Sequence, residues 1–147
     1  MAGRDVLKGI HNRIEPDLLH AMAMMGEGES IAIVERAFPA HTIAQQLPYK
    51  RVITISLRTG DALRAILSLL PLDKRVDCAA TIMQVDDEPD FIPEALEETI
   101  PIIEATGTAI QSADRDTFMA MALQSHVIVQ THDNRPHGNI ILVKGRL

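Results

Sequence analysis

The sequence is poor in the residue types on which several protein classes depend. Its 147 residues include one cysteine, one tyrosine and no tryptophan, and aromatic residues make up 3% of the chain. The stacking platforms of single-strand nucleic-acid binders are therefore mostly missing. Apolar residues never run to the roughly 18 consecutive positions that a membrane helix needs. Cys78 lies in the apolar run DCAATIM, where we expect a buried small hydrophobic side chain rather than a reactive thiol.

Positive charge is also scarce. Fourteen basic residues oppose 20 acidic ones, which gives a formal net charge of -6. The sequence shows no basic stripe of the kind that binds a phosphate backbone, so we expect no nucleic-acid partner. The first residues, MAGRD, are charged before any apolar run. We therefore expect neither a secretory signal nor a membrane span, and the cytoplasm is the expected compartment.

The chain does contain enough apolar material for one compact core. Hydrophobic residues make up 46% of a chain of the commonest single-domain length. We expect one domain over residues 1–147, with residues 1–6 as an N-terminal tail. Apolar periodicity, proline and glycine predict helices over 16–25, 59–70, 93–105 and 114–124. β-Branched and alternating runs predict strands over 30–35, 51–57, 78–85, 109–113, 126–130 and 139–143.

The order of these elements predicts the architecture. Strands alternate with helices, and several strands are continuous apolar runs, which is typical of strands covered on both faces. The sequence therefore predicts the α/β class, as a single three-layer α/β/α domain with a largely parallel sheet. Gly26 follows the first helix, where a left-handed C-cap is expected. Pro39 interrupts the chain after the first strand, where we predict a loop.

Two kinds of site are not expected. The segment Gly26-Glu27-Gly28-Glu29 precedes a strand and lacks a third glycine, whereas a dinucleotide-binding loop follows a strand. The six histidines never form a tight pair flanked by a carboxylate or thiolate, so we expect no metal ion. His20 and His126 lie within helix and strand patterns and are expected to be packing residues. His132 and His137 lie in the polar loop THDNRPHG.

Short motifs follow one another in a fixed order from residue 7 to residue 145. They are Leu7-Lys8-Gly9-Ile10, Pro16-Asp17-Leu18-Leu19, Met25-Gly26-x-Gly28, Phe38-Pro39-Ala40-His41, Arg115 and Gly138-Asn139-Ile140-Ile141-Leu142-x-Lys144-Gly145. In order and spacing they resemble the fucose mutarotase branch of the L-fucose mutarotase and D-ribose pyranase family. Residues 45–108 match that family only in pattern.

The resemblance implies a D-ribose pyranase-like fold that assembles into a ring-like homo-oligomer. It also implies pockets for a small monosaccharide between neighbouring subunits. The implied activity is the interconversion of the anomers of a fucose-like or ribose-like aldose, without a cofactor. Because aromatic side chains are scarce, the sugar would be held mainly by hydrogen bonds.

The resemblance also assigns roles to individual residues. Arg115 and Asn139 match the family's sugar-binding arginine and asparagine. Glu35 stands where the family has a substrate-binding aspartate, and His137 stands where a tyrosine precedes the closing Gly-Asn. The main departure is Glu27, because the family has a catalytic histidine between the two glycines of this turn.

Opening a cyclic hemiacetal requires two proton transfers. One group removes the proton of the anomeric hydroxyl, and another delivers a proton to the ring oxygen. We therefore assign Glu27 as the replacement for the missing histidine and His137 as the second group, with His132 as the alternative to His137. The residues expected to bind the sugar are Glu35, Arg115, Asn139 and His132.

Three functions stay open at this stage. The first is a mutarotase, and the second is a non-catalytic monosaccharide-binding or sugar-uptake accessory protein in which Glu27 is a solvated turn residue. The third is an enzyme that has changed its reaction to a related sugar or sugar acid. Spacing adds a constraint, because the strand between Glu27 and Glu35 spans roughly 17 Å. If both residues serve one pocket, a neighbouring subunit must supply Glu27.

Overall fold

The computed structural model describes residues 7–147, so the expected tail over residues 1–6 lies outside the described residues. The described chain contains five helices and six strands. The helices are α1 (Pro16–Met24), α2 (Ala40–Ala44), α3 (Thr59–Leu67), α4 (Glu94–Glu104) and α5 (Arg115–Ala122). The strands are β1 (Ser30–Val34), β2 (Val52–Ile55), β3 (Ala80–Met83), β4 (Ile110–Ala113), β5 (Val127–Thr131) and β6 (Ile140–Val143).

The strands form one sheet in the order β2-β5-β1-β6-β3-β4. Within this sheet β1 is parallel to β5, β5 is parallel to β2, and β3 is parallel to β4. Strand β6 lies between β1 and β3 and is antiparallel to both. Five strands therefore point in the same direction, and the prediction of a largely parallel sheet is confirmed.

Both faces of the sheet are buried. In β1, Ile31 and Ile33 pack in a core formed with α1, α3 and α4, whereas Ala32 and Val34 pack in a second core formed with α2 and α5. A strand that is covered on both faces is apolar at every position, which is why it appears in the sequence as a continuous apolar run. The predicted α/β/α layering is confirmed.

Capping residues account for the ends of several helices. The Asp114 side chain accepts a hydrogen bond from the Thr117 backbone N–H at 2.8 Å and caps α5. Helix α4 starts directly after Pro93, and Gly107, three residues beyond its end, adopts a positive φ of 88°.

Each predicted helix and strand is present, although most are shorter than predicted. Among residues 7–147, no helix has the length and apolar character needed to cross a membrane.

Two expectations about the backbone are wrong. Residues 40–44, predicted as loop, form α2, because Pro39 occupies the N-cap, where a missing N–H costs no helical hydrogen bond. Gly26 does not form a left-handed cap. Met25 ends α1 in an extended conformation, and Gly28 takes the positive-φ position of this turn with φ 89°.

Two expectations about side chains are corrected as well. His20 does not pack in the core; it is exposed on α1, with its ring centroid 6.5 Å from that of Tyr49. Cys78 is half-buried rather than fully buried. His126 packs largely inside the protein as expected, with its Nδ1 3.5 Å from Glu29 Oε2.

The polar loop after β5 is held by one buried carboxylate. Asp133 is fully buried, and its Oδ2 accepts hydrogen bonds from Thr59 N at 3.0 Å and Thr59 Oγ1 at 2.7 Å, at the start of α3. Arg135 donates to the same carboxylate from Nε at 2.9 Å and from Nη2 at 2.7 Å. The Arg135 guanidinium also reaches Glu98 of α4 at 2.6 Å. These contacts tie the loop to two helices.

The environment of Asp133 favours its ionised form. Burial alone would raise the pKa of the Asp133 carboxyl, but hydrogen bonds from Arg135 and Thr59 outweigh burial and hold this pKa well below its usual range. Hydrogen bonds to Asp133 first, and to Glu98 second, raise the pKa of Arg135. The folded protein therefore binds a proton at Asp133 less readily than the unfolded chain does.

We expect Asp133→Asn to lower the free energy of unfolding at neutral pH by about 1–3 kcal/mol, because it weakens hydrogen bonds to a buried group. Since the folded pKa lies below the unfolded value of 3.8, this stabilisation is fully present above that value and is lost as the pH falls through and below it. Urea titrations at pH 7, 5 and 3, at one protein concentration, measure the difference. Asp90→Asn, at an exposed aspartate, is the control. An equal loss in the control, or a difference that does not shrink at pH 3, would contradict the expectation.

Candidate functional site

Two of the expected site residues meet where β1 ends and β6 begins. Asn139 is 2% exposed, and its Oδ1 accepts a hydrogen bond from the main-chain N–H of Glu35 at 3.1 Å. The contact forms because β6 is antiparallel to β1, so that the start of one lies beside the end of the other. The Asn139 Nδ2 lies 4.0 Å from the sulfur of Met83. No oxygen atom of the described residues therefore accepts a hydrogen bond from the Asn139 side-chain NH2 group.

The side chain of Glu35 adds an acceptor at the same place. Glu35 is 6% exposed, yet no described residue donates a hydrogen bond to its carboxylate or forms an ion pair with it. The Glu35 carboxylate oxygens are not sealed from solvent, so donors from outside the chain can reach them. The hydroxyl groups of a sugar are donors of this kind, so Glu35 and Asn139 together offer a paired acceptor and donor.

Arg115 lies at the same edge of the sheet, two strands away from Asn139. It is the first residue of α5, two residues after the end of β4, and it is exposed. It lines a surface cleft with Gln84, Val85 and Asp87. Neighbouring strands lie about 4.8 Å apart, so two strand spacings place Arg115 roughly 10 Å from Asn139 along this edge. A long arginine side chain can cover part of that distance.

The two histidines of the polar loop occupy different positions. His132 is exposed, and its main-chain N–H donates to the main-chain oxygen of Leu57 at 2.9 Å. His137 is half-buried, has a positive φ of 67°, and accepts a hydrogen bond from the Asn139 N–H at 2.9 Å through its main-chain oxygen. His137 is thus two residues from Asn139, in the loop that Asp133 and Arg135 hold.

Glu27 lies at the opposite edge of the sheet. It precedes β1 in the turn over residues 26–29, whereas Glu35 follows β1. Its Oε1 lies 3.0 Å from Arg75 Nη1, and its Oε2 lies 2.7 Å from Arg146 Nε. The structure therefore brings Glu35, Asn139, His137 and Arg115 to one edge and places Glu27 at the other.

The sequence reasoning missed the arginines that hold the turns. Asp73 and Asp133 each accept a hydrogen bond at 2.9 Å from the backbone N–H two residues later, and each also binds the side chain of that residue, Arg75 or Arg135. The repeated Asp-x-Arg pattern was the available signal, because aspartate side chains often bond the backbone two residues on.

The described residues offer no candidate metal centre. Within residues 7–147, no three histidine, cysteine, aspartate or glutamate side chains are placed so that they could hold a metal ion. The arrangement therefore consists of hydrogen-bonding groups and two kinds of proton-transfer group, carboxylate and imidazole.

Solved structures resemble this chain over nearly its whole length. The fucose mutarotase of Streptococcus pneumoniae, determined in complex with L-fucose, superposes with a TM-score of 0.84 at 31% identity and covers 96% of this chain and 99% of that chain. A crystal structure described as a putative sugar binding protein superposes with a TM-score of 0.92 at 30% identity and covers 98% of both chains.

The sequence comparisons agree with the structural ones. The human fucose mutarotase is 33% identical over 146 residues, which cover 96% of this chain and 94% of that protein. The model of the RbsD / FucU transport protein family matches residues 8–147. The resemblance that the short motifs indicated is confirmed, and the chain belongs to the RbsD / FucU family.

Proposed function

We propose that this protein is a cofactor-free aldose mutarotase that acts on a fucose-like sugar. The observation that carries the proposal is the carboxylate of Glu35 beside Asn139, which has no hydrogen-bond donor among the described residues, in a chain at least 30% identical to named fucose mutarotases. In this proposal Glu35 accepts hydrogen bonds from sugar hydroxyls and Asn139 donates to an adjacent oxygen. Arg115 binds the far side of the sugar, and His132 contacts it from the loop.

The proposed chemistry uses two proton-transfer groups. Glu27 removes the proton of the anomeric hydroxyl, and the electron pair of that O–H bond forms the carbonyl. The bond between the anomeric carbon and the ring oxygen breaks, and His137 delivers a proton to the ring oxygen. Closure on the other face of the carbonyl reverses both transfers and yields the other anomer.

The proposal requires a pocket shared between subunits. Glu27 and Glu35 lie at opposite edges of the sheet, on either side of β1, so one chain cannot bring both to one sugar. A head-to-tail contact between copies joins one edge of the sheet to the opposite edge of the next copy. Such contacts form a ring when the rotation between successive copies closes. We propose a homo-oligomeric ring, and the family resemblance implies about five chains in it, or two such rings stacked.

A second candidate is a non-catalytic monosaccharide-binding protein on the same scaffold. The observation that favours it is the position of Glu27, because both of its carboxylate oxygens are engaged by arginines. The structure described as a putative sugar binding protein also superposes closely. The two functions share the sugar contacts and differ only in proton transfer.

The shared pocket predicts a closed oligomer in solution. Sedimentation velocity at micromolar concentration should show one species with the mass of several chains, since each pocket needs two subunits. A monomer under these conditions would contradict the shared pocket and the assignment of Glu27.

The sugar contacts predict the effect of two substitutions on affinity. Arg115→Ala and Asn139→Ala should each weaken sugar binding by about 1–3 kcal/mol, measured by calorimetry with L-fucose. Because Asn139 also binds the buried N–H of Glu35, its loss should in addition lower the melting temperature, whereas Arg115→Ala should not. Arg64→Ala, at another exposed helix arginine, serves as the control. If both site variants bind as tightly as the control, the sugar binds elsewhere.

The proton-transfer role predicts the behaviour of Glu27→Gln. This variant should keep the oligomer and most of the sugar affinity, but slow anomer exchange by about two to four orders of magnitude, as expected for a lost acid or base. Exchange NMR on free aldoses measures both binding and interconversion. If the wild-type protein binds an aldose without accelerating its exchange above that of buffer, the binding function holds instead. If the wild type is active and Glu27→Gln equals it, the base is another residue.

A further inference from the structure

The turn that carries Glu27 is attached to one side of the segment that follows β6. The Gly28 N–H donates to Lys144 O at 2.8 Å, and the Lys144 N–H donates to Glu29 O at 2.8 Å. The Lys144 ammonium also donates to Met22 O and Met25 O, at 2.8 and 2.7 Å, at the end of α1. The backbone of this turn is therefore fixed relative to β6.

The loop before β3 is attached to the other side of the end of β6 and of the segment that follows it. The Asp73 N–H donates to Val143 O at 2.9 Å, and the Gly145 N–H donates to Pro71 O at 2.8 Å. A Cβ atom at Gly145 would lie 2.5 Å from Leu72 O, so the close approach of these backbones requires glycine. Glu27 and Asp73 thus lie on the two sides of one short segment.

Arg75 spans the gap between these two residues. Asp73 is 4% exposed, and its Oδ1 accepts from Arg75 N at 2.9 Å and from Arg75 Nε at 3.2 Å. The remaining Nη1 of the guanidinium lies 3.0 Å from Glu27 Oε1. Hydrogen bonds from Arg75 lower the pKa of Asp73. The hydrogen bond to Asp73, followed by the charges of Asp73 and Glu27, raises the pKa of Arg75.

The second arginine on Glu27 is held differently. Arg146 has its Nε 2.7 Å from Glu27 Oε2, and its side chain is 82% exposed. An exposed ion pair without a buried anchor orders its partner weakly. Arg75 is also exposed, but the buried carboxylate of Asp73 restricts its guanidinium to one plane and direction. Arg75 is therefore the partner that defines where the Glu27 carboxylate lies.

We propose that Arg75, anchored by Asp73, is a positioning residue that holds Glu27 as the proton acceptor of the reaction. This inference rests on the proposed function. Arg75 binds Oε1 and so leaves Oε2 to take the proton of the anomeric hydroxyl once Arg146 moves aside. Arg75 itself transfers no proton. The proton donor then comes from the opposite edge of the neighbouring subunit's sheet. His137 is the residue to which we assign this role.

The experiment compares anomer exchange in a set of variants by NMR over a range of L-fucose concentrations. Arg75→Ala should lower the maximal exchange rate about 10-fold to 100-fold, the scale for a misplaced reacting group, with little change in the sugar concentration at half-maximal rate. Arg75→Lys should recover part of the rate, since it keeps the charge but not the fixed geometry. Arg64→Ala, at an exposed arginine paired with Asp61 at 3.3 Å, should equal the wild type.

The decisive comparison is made in a background without the base. If Arg75 acts through Glu27, adding Arg75→Ala to Glu27→Gln slows exchange no further, because residues that act as a unit are not additive. An equal loss in both backgrounds, or no loss in the single variant, would overturn the inference while the proposed function stands. A wild type that does not accelerate exchange would overturn the proposed function and this inference together.

Discussion

The antiparallel insertion of β6 between β1 and β3 is the constraint on which the site arrangement depends. Because β6 runs against its neighbours, its first residues lie beside the carboxyl end of β1, and its last residues lie beside the start of β1. Asn139 therefore meets Glu35 at one edge, and Lys144 supports the Glu27 turn at the other. The four-residue strand β6 therefore positions both the Glu35 contact and the Glu27 turn.

Buried carboxylates have two different roles in this molecule. Asp133 and Asp73 are surrounded by donors from Arg135 and Arg75, which hold their pKa values low and make them structural anchors. Glu35 is 6% exposed, and its carboxylate has no hydrogen-bond donor among the described residues. The same chemical group stabilises loops where its hydrogen bonds are complete, and in the proposed function it binds the sugar where they are not.

Much of the architecture could be predicted from the sequence because both faces of the central strands are buried. Runs such as residues 31–34 are apolar at every position, and helices with caps such as Asp114 separate them. The sequence pattern did not show the direction of each strand or which strands are neighbours in the sheet. The antiparallel direction of β6 follows from pairing between distant segments, and α2 was missed because Pro39 serves as an N-cap.

The residues of the candidate site came from the family resemblance and remain a prediction. The family resemblance pointed to Glu27, Glu35, Arg115 and Asn139, and strand spacing alone separated the first of these from the second. The arginines around Glu27 could not be predicted, because Arg75 and Arg146 are 71 residues apart in the chain and meet only through the turns beside β6. The Asp-x-Arg pattern was visible in the sequence. Only the fold shows that its two arginines also reach Glu27 and Glu98.

The bonding of β6 on both sides also limits how the length of the chain can vary. Its residues are in register with β1 on one flank and with β3 on the other. Inserting or deleting one residue within 140–143 would reverse which core each following side chain faces and would shift one end relative to the other. The exposed loop over residues 86–90 is not bound in this way. Length differences among related chains are therefore expected in such loops, while the interval from Asn139 to Gly145 stays constant.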